Sequence, residues 1–402
     1  MKKFLVIVLI ICIIFTGVVS YLNYGMKESV IAANENAPAQ SEEGTETEIP
    51  EEAKTLDYEK IYGLHEPDSV VMTVDGKDVK WSEYFYWLFL QSNQMENYFR
   101  QLAAYTGAQI NWGDTAVEES GENFGDVVVN DAEKMLCQLY AIEKYAADNK
   151  IELKKEDEES IADDLKEALK VSCGEDATEE DFNKYLSEIY MERELYDRLN
   201  RAMYLNTRAY NTKYGRDAEL VSDEDALKFL EDNDYMAASH ILLMSIDPET
   251  REALAEDKIA EKKAQAGKLA EELAAIEDPE ERAEKFAEMK AKYCEDSGKE
   301  AYPDGYIFTP GTMVAEFEEA CKSLKENEVS GVVESDYGFH IILRQPLDAD
   351  RAISYTREGT AQNARAMFAN QEFNSAIIAV MDGLKVEYAP GFEHINLADY
   401  AA

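Results

Sequence analysis

Polar and apolar residues follow a pattern that predicts a mostly helical first half of the folded chain. An apolar run over 70–74, an Asp75-Gly76 pair and a short second run to Val79 predict a small hairpin with a tight turn. Beyond Ser82, a suitable N-cap, apolar residues recur every three to four positions, as in amphipathic helices. The predicted helices cover 82–104, 130–148, 155–172, 179–213 and 223–231, with a Gly- and Asn-containing connection at 107–127.

The pattern changes near residue 235 to one in which strands and helices are mixed. The segment MAASHILLM, residues 236–244, predicts a strand, and the later part of the chain adds three more short strands. The resulting order β-α-α-β-α-β-β describes a compact α+β domain. Its other predicted elements are helices 249–275 and 279–292, a loop at 295–304, strand 305–308, helix 313–324, and strands 330–334 and 339–344.

The last part of the chain becomes helical again over 358–382, and residues 386–388 predict one closing strand. This helix follows a complete α+β unit. We therefore expect it to pack back on the first helical region rather than to stand alone. The predicted fold class is α+β, with the mixed domain inserted in a mostly helical one.

The first 26 residues begin with Lys2 and Lys3 and continue with apolar residues. The strongly apolar part, Phe4 to Val19, is longer than most secretory signal cores and shorter than an ordinary membrane-spanning helix. Two alternatives remain open: the segment stays as a membrane anchor, which we favour, or it is cleaved, for example after Ser20, and the body is secreted. In both cases the lysines stay inside and the rest is exported.

Residues 27–67 are predicted to form an acidic, disordered linker between this segment and the folded body. Their central part, 33–57, is rich in Glu, Pro, Ser and Thr and contains almost no large apolar residue. Such a composition buries too little apolar surface to offset the entropy of folding.

The net charge argues against several classes of function. The chain has 83 acidic and 40 basic residues, a formal net charge of −43. This excess argues against nucleic-acid binding and against docking on anionic lipid, both of which need basic surfaces. The hydrophobic content of 46% is ample for a folded core. A calcium-binding surface protein would also be acidic, but no EF-hand-like loop supports that class.

Cysteine chemistry gives little guidance to function. Beyond Cys12, the four remaining cysteines are widely scattered, and they form no framework pattern and no CxxC or Cys/His cluster. Unpaired thiols are favoured over two disulfides, and neither a metal site nor a cofactor is predicted. These cysteines are Cys137, Cys173, Cys294 and Cys321.

Two of the four histidines of the chain lie inside predicted strands, in the segments ASHILLM and YGFHIIL. Together with YCEDSG and GYIFTPGTMVAEFEEACKSLKENEVSGVVESD, these segments closely resemble the parvulin-type peptidyl-prolyl isomerases over residues 236–346. Several separate motifs occur in the same order and spacing, so the resemblance is specific. The flanking regions resemble, more weakly, the helical chaperone parts of exported foldases of the PrsA and SurA kind.

The resemblance implies a set of site residues. His240 and His340 match the paired core histidines, Asp296 the acidic or thiol position beside them, and Ser335 the hydroxyl that completes this hydrogen-bonded group. The residues that would hold a substrate proline ring are Phe308, Met313 and Phe317. In an arbitrary sequence, buried histidines and a Met–Phe pair four residues apart would be ascribed to core packing.

The resemblance also implies a domain plan and an activity. A helical chaperone domain would begin at 68–233, contain an isomerase domain at 234–347, and be completed by 348–402. The implied protein is an extracytoplasmic foldase that isomerises X-Pro bonds in newly exported, unfolded proteins and associates with the membrane through its N-terminal segment. The resemblance implies no cofactor, and a homodimer is left open.

Two departures from the family pattern bear on this activity. Residues 301–306 replace a GGDLG stretch that many parvulins have, which leaves open a non-enzymatic holdase with a degenerate isomerase domain. Residues 244–249 contain no basic cluster, so specificity for phosphoserine before proline is not expected.

Overall fold

The computed structural model describes residues 55–107, 109–117, 120–356 and 359–401, and these form two compact units. The first comprises the chain up to Lys213 together with Glu372 onward, and the second comprises Tyr214–Gln371. The predicted leader, 1–26, and the linker up to residue 54 lie outside the described residues. Within the described part, no helix is long and apolar enough to cross a membrane.

The first unit is built mainly from helices, with two small antiparallel sheets. Most of its elements agree with the predicted hairpin and helices, with ends that differ by several residues. In chain order they are α1 (Tyr58–Tyr62), β1 (Val70–Val74), β2 (Lys77–Lys80), α2 (Trp81–Thr106), β3 (Thr115–Val117), β4 (Glu122–Asn123), α3 (Phe124–Asp148), α4 (Lys155–Cys173), α5 (Glu179–Glu188) and α6 (Arg193–Tyr214). The predicted helix 179–213 is instead two helices, because the chain turns at 189–192, where Tyr190 has a φ of +56°.

Helix α1 corrects the predicted extent of the linker. The acidic composition placed residues up to 67 in a disordered segment, but Ile61 is buried and Asp57 accepts a hydrogen bond from the backbone N–H of Lys60. The folded part therefore begins before residue 58. One apolar residue on the buried face and one N-cap are enough to fix this short helix against its neighbours.

Aromatic side chains at the start of α2 form much of the core of the first unit. Trp81 and Phe85 are fully buried, and the indole N–H of Trp81 donates to the carbonyl oxygen of Tyr62 at 2.7 Å. The ring of Phe85 lies 4.9 Å from those of Tyr62 and Tyr190. Such tilted and edge contacts stabilise an aromatic core beyond the area that it buries.

The C-terminal segment returns to this unit. Strand β11 (Val386–Tyr388) pairs with β1 in antiparallel register, with Met72 opposite Tyr388. The ring of Phe373 lies 5.6 Å from that of Tyr145. Strand β11 thus adds a third strand to the sheet that β1 and β2 form.

The second unit contains the predicted β-α-α-β-α-β-β order. Its strands form one antiparallel sheet in the order β6-β5-β8-β7. The whole unit also includes a helix before this core and a short strand pair after it. Its elements are α7 (Asp223–Asp232), β5 (Met236–Met244), α8 (Glu256–Ala274), α9 (Pro279–Tyr293), β6 (Tyr306–Phe308), α10 (Ala315–Ser323), β7 (Val333–Ser335), β8 (Gly338–Gln345), β9 (Ser354–Tyr355), β10 (Ala361–Gln362) and α11 (Ala364–Asp382), of which α11 continues into the first unit.

Three predicted helices start too early. The helix predicted for 358–382 begins only at Ala364, because residues 361–362 form β10. Residues 249–255 were expected to begin α8, but the Asp247 carboxylate accepts the backbone N–H groups of Glu249 and Thr250 and holds a turn there. Such local side-chain bonds compete with helix formation. Helix α10 begins after Val314 instead of at Met313, since Val314 has an extended backbone conformation.

The central sheet is covered on both faces. Along β8, Phe339, Ile341 and Leu343 are in the hydrophobic cluster that contains buried residues of α8 and α9, whereas Ile342 is in the cluster that contains buried residues of α10. This division follows from the two-residue period of a strand. His340 has the same parity as Ile342, so it faces α10.

Gly338 is required where β8 begins. Its φ is +141°, and a Cβ at this position would lie 2.2 Å from the carbonyl oxygen of Leu243. We predict that Gly338→Ala lowers the free energy of unfolding of the sheet by at least about 2 kcal/mol, from backbone strain together with a steric clash. Hydrogen exchange of the β5 and β8 amides measures this loss.

Gly331→Ala is the matched control, because its added Cβ meets nothing within 4 Å and its φ is not in the left-handed region. Equal protection of the sheet amides in Gly338→Ala and Gly331→Ala would contradict the prediction.

Candidate active site

The two histidines of the second unit lie side by side on one face of the sheet. In the register of β5 and β8, His240 is opposite Ile342 and His340 is opposite Leu242, so the histidines are diagonal neighbours. Their ring centroids are 5.3 Å apart. His340 is buried, and His240 is nearly so, with 11% of its side chain exposed. The sheet therefore brings together two residues that are far apart in sequence.

Asp296 joins this pair from the segment after α9. Its Oδ2 lies 3.1 Å from His240 Nε2 and accepts a hydrogen bond of 2.5 Å from the hydroxyl of Tyr306. Its Oδ1 accepts the backbone N–H of Gly298 at 3.0 Å, which caps the 3-10 helix Ser297–Glu300. The carboxylate thus links β5, β6 and the loop after α9.

These contacts determine the protonation states around Asp296. Burial alone raises the pKa of this carboxyl, but hydrogen bonds from His240, Tyr306 and Gly298 outweigh burial and lower the pKa below its usual range. Burial and the adjacent carboxylate raise the pKa of Tyr306, which stays protonated as a donor. Since a carboxylate only accepts hydrogen bonds, His240 Nε2 carries the proton between them.

Ser335 holds the second histidine. Its Oγ lies 2.7 Å from His340 Nε2 and accepts the backbone N–H of Tyr337 at 3.2 Å. Burial first, and then the proximity of His240, lowers the pKa of His340 to about 4. His340 is therefore neutral at neutral pH. The Nδ1 atoms of both imidazoles are buried, and neither has a hydrogen-bond partner among the described residues.

The apolar residues implied by the family resemblance lie beside this polar group. The ring of Phe317 lies 5.3 Å from that of His240, 5.8 Å from that of His340 and 5.8 Å from that of Phe308. Phe308 and Phe317 are buried, whereas Met313 packs at the edge of the same cluster and remains partly accessible. Aromatic and thioether surface thus adjoins the two histidines.

Two residues of this site were not among those expected from the sequence. Glu318 is buried and accepts the backbone N–H groups of Gly311 and Met313, which fixes the turn that carries Met313. Tyr306 is two residues before Phe308 on β6, so strand periodicity would have placed both on one face. For Glu318 no such signal exists, because an acidic residue on an acidic helix is ordinarily solvated.

Metal binding has no support in this site. Among the residues that the structure describes, no group of three or more His, Cys, Asp or Glu side chains is arranged to hold a metal ion. Cys294 and Cys321 are buried free thiols. Burial raises the pKa of Cys321 to about 12, so this thiol is not a nucleophile at neutral pH.

Comparison with known proteins agrees with this geometry. Residues 226–345 match the family described as PPIC-type PPIASE domain, which covers nearly all of the range 234–347 expected for an isomerase domain. This match confirms the resemblance to parvulin-type isomerases.

Curated relatives extend the likeness beyond the domain. The chain is 30% identical over 237 residues to the foldase protein PrsA of Oceanobacillus iheyensis, which is 58% of this chain and 66% of that protein. It is 50% identical over 58 residues to foldase protein PrsA 1 of Bacillus cereus, which is 14% of this chain and 20% of that protein. The chain thus spans less than two thirds of the length of each of these relatives.

Solved structures give the same names at lower similarity. The crystal structure of PrsA from Bacillus cereus is 20% identical, with coverage of 72% of this chain and 99% of that chain, at a TM-score of 0.28. This score is too low to carry weight, so the assignment depends on the family match and the curated relatives. Residues 226–345 form a parvulin-type peptidyl-prolyl isomerase domain, carried in a chain that is similar to PrsA foldases.

Proposed function

We propose that the protein is a foldase that catalyses cis–trans isomerisation of X-Pro bonds in unfolded, newly exported proteins. The observation that carries the proposal is the junction of an apolar wall, Phe308, Met313 and Phe317, with the hydrogen-bonded histidine pair. An apolar wall suits the pyrrolidine ring of proline, and the polar group suits the adjacent amide. Both parts occur in the domain that matches a peptidyl-prolyl isomerase family.

The reaction needs no bond cleavage. Amide resonance creates a barrier of about 18–20 kcal/mol to rotation. A site that binds the twisted amide more tightly than either planar isomer lowers this barrier. The planar amide is the more charge-separated form, so a dry apolar pocket stabilises it less than water does. Phe317 and Met313 are the residues that would exclude water from the ring of the bound proline.

The polar residues have a positioning role in this proposal. Neutral His340 cannot act as an acid at neutral pH, and the proton between His240 and Asp296 is carried by His240 Nε2 and directed at an ionised carboxylate. Ser335 and Asp296 each fix one imidazole, so the rings hold the shape of the pocket beside the reacting amide. Buried Nδ1 atoms that lack partners cost free energy, and such costs are typically found at functional sites.

The wider function follows from the relatives and from the first unit. Foldase relatives suggest that the helical unit binds unfolded client chains while the isomerase domain acts on their prolines. We further propose that the protein acts outside the cytoplasm and is held at the membrane by residues 1–26, or is secreted if these are removed.

A holdase without isomerase activity is the second candidate. The altered segment 301–306 favours it, because Tyr306 introduces a hydroxyl that is bonded to Asp296 at the edge of the site. Suppression of aggregation of an unfolded protein, with no acceleration of proline isomerisation in the same preparation, would favour this alternative over the foldase.

Substitution of the pocket wall tests the proposed activity. We predict that Met313→Ala lowers kcat/KM about tenfold in a protease-coupled assay with a proline peptide, because roughly 1–2 kcal/mol of apolar contact with the proline ring is lost. Met313 is only partly buried, so the variant is expected to fold. Met381→Ala, in the part of α11 that belongs to the first unit, is the matched control, and equal loss in both variants would contradict the pocket assignment.

The depressed pKa of His340 predicts how stability depends on pH. Its pKa is about 4 in the folded chain and 6.5 for an ordinary histidine, so the unfolded chain binds the proton more readily. The associated stability is complete above pH 6.5 and is lost as pH falls toward 4. His340→Gln should remove this part of the pH dependence of unfolding, whereas His394→Gln, at an exposed position, should not. A His340 imidazole that titrates near pH 6.5 by NMR would contradict the prediction.

The role of Tyr306 can be tested through the carboxyl group that it contacts. We predict that Tyr306→Phe raises the pKa of Asp296 by roughly one to two units, the equivalent of losing one hydrogen bond to a charged group. Carbon NMR of the Asp296 carboxyl measures this shift. Tyr293→Phe, which leaves the Asp296 contacts intact, should cause none. An unchanged pKa in Tyr306→Phe would show that this hydroxyl does not hold the carboxylate.

A further inference from the structure

A cavity opens on the second unit, at the segment 301–305 and the chain that follows β8. Its volume is about 820 Å³, within the range of ordinary ligand sites. None of the histidines lines it, and neither do Met313 and Phe317. The cavity is therefore distinct from the wall that is proposed to hold proline.

The charged groups that line this cavity have a net negative charge. Arg365 is occupied by Asp223 and Asp350, its Nε lying 2.7 Å from Asp350 Oδ1. Arg351 donates to the carbonyl oxygen of Asp304 at 2.9 Å and to Gln345 Oε1 at 2.8 Å.

Two further carboxylates of the lining, Asp304 and Asp348, are exposed and form no direct ion pair among the described residues, although Arg351 lies close enough to interact electrostatically with both. Four aspartates and two arginines line the cavity, so its net charge is negative. Exposed carboxylates at the mouth of a cavity attract cationic groups, and the interaction weakens with salt.

Aromatic surface lies next to these carboxylates. The rings of Tyr302 and Tyr355 are 5.7 Å apart and tilted by 57°, and Tyr355 is 44% exposed. Leu347 and Pro303 add aliphatic surface to the lining. A half-exposed aromatic pair with aliphatic neighbours and a carboxylate rim suits a peptide segment that alternates apolar and cationic side chains.

The cavity is also connected to the histidine pair. Tyr302 packs against Tyr306 with ring centroids 5.0 Å apart, and the hydroxyl of Tyr306 is the donor that holds Asp296. Tyr302 is therefore linked to the carboxylate that positions His240 through two contacts, its own with Tyr306 and that of Tyr306 with Asp296. A group that binds against Tyr302 lies at the end of this chain of contacts.

We propose that this cavity is a second binding site for the client polypeptide, specific for a segment with Lys or Arg beside an aromatic or aliphatic side chain. The inference rests on the proposed foldase function and deepens it, because a client would be held at this site while a proline elsewhere in it reaches the pocket wall. The net charge of −43 favours cationic segments over acidic ones at long range.

Binding of a proline-free peptide tests this site apart from isomerisation. The probe is a fluorescently labelled peptide of Lys, Leu, Tyr and Ser, titrated with the full chain and followed by anisotropy. The expected result is saturable binding that weakens with salt and loses about tenfold in affinity in Asp304→Lys and in Tyr355→Ala. Binding that neither substitution alters would overturn the proposal.

Two controls separate this result from general charge effects and from the proline pocket. Glu326→Lys makes the same charge reversal at an exposed position outside the cavity and should retain wild-type affinity. Met313→Ala should retain it as well. Equal weakening by Glu326→Lys, or loss of binding in Met313→Ala, would overturn the second site.

The outcome is independent of catalysis. If Met313→Ala leaves isomerase activity unchanged, the assignment of the proline pocket is wrong. The second site is still tested independently by peptide binding to Asp304→Lys and Tyr355→Ala. If the peptide does not bind, the second site fails while isomerase activity on short peptides remains measurable.

Discussion

The arrangement of the site depends on one partly buried carboxylate. Asp296 accepts hydrogen bonds from a side chain on β5, a side chain on β6 and the backbone of its own loop. A carboxylate in this environment is costly unless its acceptor positions are filled. The three donors therefore stabilise the ion, and the ion in turn fixes the separation of the elements that carry them. This one group therefore places His240 and the loop after α9, whereas Ser335 holds His340.

The second constraint is that the sheet is covered on both faces. Buried apolar residues of α8 and α9 share a hydrophobic cluster with one face of β8, and those of α10 share a cluster with the other. The site can exist only on the face of the shorter helix, where the covering is incomplete and Met313 stays accessible. Glu318 contributes to this, since it accepts two backbone donors of the turn that carries Met313.

Much of this arrangement follows from local sequence. Strand periodicity puts His240 and His340 inside strands, and the family resemblance adds Asp296 and Ser335, which lie where hydrogen bonds join them to the rings. Hydrogen bonds between side chains and nearby backbone groups were harder to predict from the sequence. Asp247 stops a helix that propensity alone would have extended, and Ile61 fixes a short helix inside an acidic segment. Tyr306 was missed because its donor role appears only once the loop after α9 is folded.

The pairing of β1 with β11 has a consequence for how the chain is made. The backbone N–H of Asp75 donates to the carbonyl oxygen of Lys385, and the backbone N–H of Lys385 donates to Asp75 Oδ1, across 310 residues of sequence. Residues 214–371, by contrast, are contiguous, and their contacts can form as soon as they emerge. Long-range pairings form late because loop closure opposes them. A nascent chain therefore completes the contacts of residues 214–371 while the first unit still lacks β11, and removal of β11 damages the unit that contains β1.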